Sequence, residues 1–107
     1  STSSQMATVG YAKMLATELA TFNITVNTVL PGVILTDGMT SFYEEKAKEQ
    51  GRSGADVLKE VSRSIPMARL GKPEEVGDLI AFLASERASY MTGTSIPLDG
   101  GMLKSTL

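Results

Sequence analysis

The stretch Ile24-Thr-Val-Asn-Thr-Val-Leu30 constrains this chain more than any other. It is dominated by β-branched and apolar residues and is halted by Pro31-Gly32, the composition of a strand with a sharp stop. Successive side chains of a strand point to opposite faces, so this one has greasy surface on both and must be covered on both. Such strands belong to the interior of parallel sheets, with a neighbour on each edge. The only other strand expected in the 107 residues is Thr94-Ser-Ile-Pro-Leu98, where Pro97 suggests an edge because proline cannot donate to a ladder. Two strands cannot close the sheet that Ile24–Leu30 asks for. The chain is therefore expected to be part of a larger α/β domain, or to complete its sheet with another chain.

Helices are expected on either side of that strand. Residues 6 to 21 are rich in good helix formers and contain no proline. Gly10, Lys13, Thr17 and Thr21 make one narrow polar stripe, and Met6, Val9, Ala12, Leu15, Ala16 and Leu19 cover most of the remaining circumference. A helix of this kind needs cover on two sides, from its own fold or from the same helix of another subunit. Gly71-Lys-Pro-Glu-Glu75 opens another helix, with proline in the first turn and two acids complementing the helix dipole. Its stripe is Val76, Leu79, Ile80 and Leu83, ending near Ala84 and packing one face on the sheet. A helix, a strand and further helices in this order read as an αβα unit of a parallel sheet.

Between these elements, from Asp37 to about Pro66, charged and small residues take over. Two weakly amphipathic segments, Ser41 to Gln50 and Ala55 to Ile65, read as short helices; Val57, Leu58, Val61 and Ile65 are the apolar members of the second. A stretch of this length is expected to be a mobile helical flap, a lid or substrate-contacting excursion, with a plain solvated surface excursion as the alternative.

Composition removes several chemistries. The chain has no His and no Cys, which excludes an imidazole base, a thiolate nucleophile, a disulfide framework and a zinc site of the usual ligands. Twelve acids against ten bases give a net charge of -2, so nothing calls for nucleic acid as a partner. No stretch approaches the roughly 20 apolar residues of a membrane span, and no signal-peptide pattern opens the chain. A cytoplasmic protein without a membrane partner is expected. The chain starts on Ser1 and not Met, so a cut, processed or engineered N-terminus is expected.

In open α/β folds, ligands bind at the carboxyl ends of strands. That location here is Pro31-Gly-Val-Ile-Leu-Thr36. Taken alone, Pro31-Gly32 could equally do no more than end a strand.

Five pieces stand in order: Gly10-Tyr-Ala-Lys-Met-Leu-Ala-Thr-Glu-Leu19; Ile24 through Gly32 with Thr36; Arg69-Leu-Gly-Lys-Pro-Glu-Glu-Val76; Phe82-Leu-Ala-Ser85; and Thr92-Gly-Thr-Ser-Ile-Pro-Leu-Asp-Gly-Gly101. Together they resemble the C-terminal part of the short-chain dehydrogenase/reductase family, of the kind that includes 3-oxoacyl-carrier-protein reductases. The resemblance spans essentially the whole chain. It implies the C-terminal part of one Rossmann-type domain: a doubly wound parallel sheet contributing helix, strand, helical flap at about 37–66, helix and edge strand. It also implies a parent that moves hydride between a carbonyl/alcohol pair and NAD or NADP. By the same resemblance Pro31 and Gly32 shape the nicotinamide pocket, the backbone of Ile34 hydrogen-bonds the carboxamide, and the Thr36 hydroxyl contacts carboxamide or phosphate.

One departure matters. The family's Tyr-x-x-x-Lys pair, in which tyrosine protonates the carbonyl oxygen and lysine holds the ribose and lowers the tyrosine pKa, aligns without a gap on Ser1 and Gln5. A serine hydroxyl is a far weaker acid than a phenol, and Gln5 carries no charge. None of Tyr11, Tyr43 and Tyr90 has lysine four residues on, so no catalytic residue is assigned. The family's glycine-rich pyrophosphate loop and catalytic serine lie in an N-terminal half outside these residues.

Three readings follow. The chain is a piece of an oxidoreductase, inactive and binding no cofactor by itself; or a stand-alone module that self-associates into a homo-oligomer through the family's interfaces; or half of a split enzyme that pairs with a complementary N-terminal chain.

Overall fold

A computed structural model describes residues 2–103. Helix α1 spans Thr2–Leu19 and tightens into a 3-10 turn, Ala20–Phe22; strand β1 is Thr28–Pro31. Helices α2 (Asp37–Gln50), α3 (Gly54–Arg63) and α4 (Pro73–Leu83) follow, then a 3-10 turn, Glu86–Ala88, and strand β2, Ser95–Leu98. The described residues form two compact units, one of 2–30 with 77–97 and one of 31–76 with 98–103.

β1 and β2 pair in a two-stranded sheet. Thr28 donates to the Thr94 carbonyl and Gly32 to that of Leu98, each at 2.9 Å. The equal step of four residues on both strands is the parallel pattern. Positions 94 and 98 thus face β1, and alternation turns the nitrogen of Pro97 away from it, where a missing N–H costs no ladder bond. Among the described residues no strand pairs with the other edge of β1.

The ladder begins later than Ile24. Val26 is held by a side chain instead, its N–H donating to Thr92 Oγ1 at 3.0 Å, and its carbonyl accepts from Gly93 at 2.7 Å. Asn27 bridges the same loop, Nδ2 to the Met91 carbonyl at 3.1 Å and Oδ1 from the Thr94 N–H at 3.1 Å. β-propensity marked the segment, but its first half is pinned to a loop and not to a strand.

In the first unit α1 turns one stripe inward. Val9 and Ala16 are buried, Ala12, Leu15 and Leu19 are half-buried, and Ala16 lies beside Gly93, where an added Cβ would sit 3.6 Å away. Met6, Tyr11 and Met14 are each more than half exposed. The polar stripe Gly10, Lys13, Thr17 and Thr21 faces solvent, as expected. On α4, Leu79 and Leu83 are half-buried while Ile80 is 52% exposed, so the covered stripe is narrower than the apolar spacing suggested.

In the second unit the core is Tyr43, Ala47, Val57, Ile65 and Leu70, with Val33, Met39, Leu58 and Val61 packed on it. The segment 37–66 thus supplies most of this core. α2 starts at Asp37, not Ser41, because Thr36 is its N-cap: its hydroxyl accepts from Met39 N–H at 3.2 Å, and Asp37 occupies the first turn. Gly51, in the left-handed conformation (φ 64°), closes it. Ser53 caps α3 in the same way through Asp56 N–H.

Candidate nicotinamide-contacting segment

The segment Pro31–Thr36 is gripped through its backbone on two sides. On one side Gly32 donates to the Leu98 carbonyl. The site of a β-carbon on residue 32 is 2.9 Å from Asp99 Cα and 2.7 Å from its Cβ. Only glycine fits without moving backbone. On the other, Ile34 forms an isolated parallel bridge with Gly71: Gly71 N–H donates to Val33 O at 2.9 Å and Leu35 N–H to Gly71 O at 2.8 Å.

That bridge decides where Ile34 points its own peptide groups. In a parallel bridge the bonds are made by the residues flanking the central one, so the N–H and C=O of Ile34 face away from Gly71. Among the described residues neither has a partner. A donor and an acceptor turned to the same side of one residue match a primary carboxamide, which presents one of each. Thr36 accepts Met39 N–H, and among the described residues its hydroxyl proton has no acceptor.

Asp99 organises the turn beyond β2. Its carboxylate accepts from Gly101 N–H at 3.0 Å and Leu103 N–H at 2.8 Å. Gly100 and Gly101 take positive φ (65° and 91°), and Gly100 O accepts from Met67 N–H at 3.1 Å.

The loop that carries Gly71 is closed by an ion pair. Arg69 meets Glu75 with both guanidinium nitrogens, at 2.8 and 3.0 Å, and donates to the Leu70 carbonyl at 3.2 Å. Glu75 reaches back to Lys72 N–H at 2.9 Å, the half of a capping box supplied by the third helical residue. The hydrogen bond from Arg69, then that from Lys72, lowers the Glu75 carboxyl to about 2, and Glu75 raises Arg69 above its ordinary value. Ile34, Arg69, Glu75 and Asp99 line a cavity of about 110 Å³.

Of the positions singled out in the sequence, Pro31, Gly32, Ile34 and Thr36 are thus contiguous on one backbone-fixed run. Gln5 is exposed in the first turns of α1, and Ser1 lies outside the described residues. Sequence reasoning missed Gly71 and Asp99 as the two flanks of the run, and read Glu75 only as a partner of the helix dipole. Arg69, spaced six residues ahead of Glu75 across Gly and Pro, was the available signal. Among the described residues no three His, Cys, Asp or Glu are placed to hold a metal, and no helix is long and apolar enough to cross a membrane.

Residues 2–103 match the family model described as Enoyl-(Acyl carrier protein) reductase. The chain is 43% identical over 99 residues to the NADPH-dependent reductase BacG of Bacillus subtilis, covering 92% of this chain and 38% of that protein. It is 43% identical over 100 residues to 3-oxoacyl-[acyl-carrier-protein] reductase FabG of Rickettsia conorii, covering 94% of this chain and 37% of that protein. Among solved structures, L-sorbose reductase from Gluconobacter frateurii, complexed with NADPH and L-sorbose, superposes with a TM-score of 0.88 at 38% identity, over 94% of this chain and 39% of that one. The fold is Rossmann-type α/β, and the chain belongs to the short-chain dehydrogenase/reductase family, whose C-terminal portion it matches. It spans 34 to 38% of the length of the curated relatives it matches.

Proposed function

We propose that this chain is the nicotinamide-side portion of an NAD(P)-dependent short-chain oxidoreductase and is catalytically silent alone. The observation that carries the reading is the N–H and C=O of Ile34, unpartnered among the described residues and turned away from Gly71. These fit the carboxamide of a nicotinamide, and the Thr36 hydroxyl fits a second polar atom of the same cofactor. When bound, that cofactor supplies or accepts the hydride. This chain's residues do the rest available to them: Ile34 orients the ring by its amide, Gly32 lets the backbone approach, and Asp99 and Gly71 hold both in place.

Nothing in these residues does the proton's work. Gln5 lacks the positive charge that would acidify a hydroxyl, and Ser1 aligns where a phenol is required. The oxidoreductase reading therefore includes a partner segment bearing the pyrophosphate loop, and the chain acts in the cytoplasm. The coding DNA immediately upstream of Ser1 tests this: an in-frame strand, glycine-rich turn and helix supports it, and an in-frame stop directly before Ser1 removes it in favour of the alternatives.

A second reading is favoured by one observation. Met6, Tyr11 and Met14 leave large apolar surface on α1 uncovered, which suits self-association of a stand-alone module. Sedimentation decides it, since a stable monomer at micromolar concentration removes that reading.

A further inference from the structure

The ion pair Arg69–Glu75 touches none of the atoms offered to the cofactor, yet every bond it makes bears on the one residue, Gly71, that orients Ile34. Arg69 spans the loop by binding Glu75 with two nitrogens and the Leu70 carbonyl with one of them. Glu75 simultaneously accepts from Lys72 N–H. The residues immediately before and after Gly71 are thus both tied to one carboxylate–guanidinium unit. Gly71 in turn makes both bonds of the bridge to residues 33 and 35. Gly71 has no side chain that could anchor it otherwise, and the site a β-carbon would take is 2.7 Å from Ile34 Cδ1, the end of a flexible side chain.

We infer that Arg69 and Glu75 are positioning residues for nicotinamide binding: together they fix Gly71, and through Gly71 they set the direction in which Ile34 presents its N–H and C=O. This rests on the reading of Ile34 as the carboxamide's partner. A bidentate pair does this better than a single hydrogen bond because it fixes orientation as well as distance. Lysine in place of Arg69 offers a point charge without the planar fork and cannot reproduce the bidentate pair with Glu75.

Amide hydrogen exchange on the 107-residue chain separates a positioning role from a general structural one. Arg69→Met and Glu75→Gln are each expected to speed exchange of the Leu35 and Gly71 amides by about tenfold or more while leaving Gly32, bonded to Leu98, at its wild-type rate. Arg69→Lys should fall between. Uniform acceleration of all three amides, or no change at Leu35 and Gly71, overturns the proposal. Should Arg69→Met fail to fold, Glu75→Gln, which keeps shape and an acceptor, supplies the same comparison. Nicotinamide itself, added at tens of millimolar and followed by the Ile34 amide shift, tests the reading beneath: a shift in wild type that shrinks in Glu75→Gln supports both. No shift in wild type overturns the carboxamide assignment, whatever the exchange rates show.

Discussion

Asp99 stands against Gly32 so closely that a β-carbon at residue 32 would lie 2.9 Å from the Asp99 backbone. The turn at the end of β1 and the turn at the end of β2 therefore share one space, and glycine at 32 is what lets them.

Gly32→Ala is expected to destabilise the chain by about 1–3 kcal/mol, the usual cost of overpacking, because the clashing atoms are the backbone and Cβ of Asp99. Gly71→Ala should cost less, since the atom in its way is the terminal methyl of Ile34, which can rotate aside. Urea midpoints of the two variants check the order; equal midpoints would mean the β2 turn yields as readily as a side chain.

The Arg69–Glu75 pair gives a pH dependence with a definite sign. Glu75 is held at about 2 in the folded chain, below its ordinary range, so its contribution is complete at neutral pH and persists down to about pH 4.5, then fades as pH falls toward 2. The pair is substantially exposed and screened, so the effect is modest. Urea melts at pH 7 and pH 3 should show wild type losing more stability than Glu75→Gln. Equal losses would show that the pair contributes nothing to folding.

Thr36→Ala removes the cap of α2 and should cost about 1 kcal/mol, whereas Thr36→Ser keeps the oxygen and most of the stability. Thermal melts followed by helical circular dichroism distinguish them. If the two variants melt together, the hydroxyl is not acting as a cap.

Ala68 sits at φ 60°, in the left-handed region, where an L side chain crowds its own carbonyl. Ala68→Gly is expected to stabilise by up to about 1 kcal/mol, net of the extra freedom glycine has when unfolded. An unchanged or lower melting temperature would contradict this.

How much of this was legible in the sequence follows the range of the forces involved. Local signals worked in part: Val57, Leu58, Val61 and Ile65 are readable as the apolar members of a short helix, though the sequence reading puts that helix on a mobile flap and the structure puts these residues in or against a core, and Pro73 with two acids marks the start of α4. Contacts between distant residues did not show. Nothing near Gly32 announces Asp99, and nothing near Ile24 says that Val26 and Asn27 will be bonded to residues 91–94 in place of a strand. α2 began four residues early because Thr36, read for its hydroxyl, was also a cap. The run Pro31–Thr36 is legible from its place after a strand and from family resemblance, but the reason Ile34 is available is a bridge to Gly71, a contact between residues distant in the chain that no local pattern announces.

As proposed above, residues 31–36 form one wall of a dinucleotide site whose other walls lie outside the described residues. NADPH titrated into the purified chain at micromolar concentration, followed by its fluorescence, tests that claim most directly. No saturable change is expected, and no consumption of NADPH when a carbonyl compound is added. Saturable binding to the chain alone, with turnover of the cofactor, would contradict it.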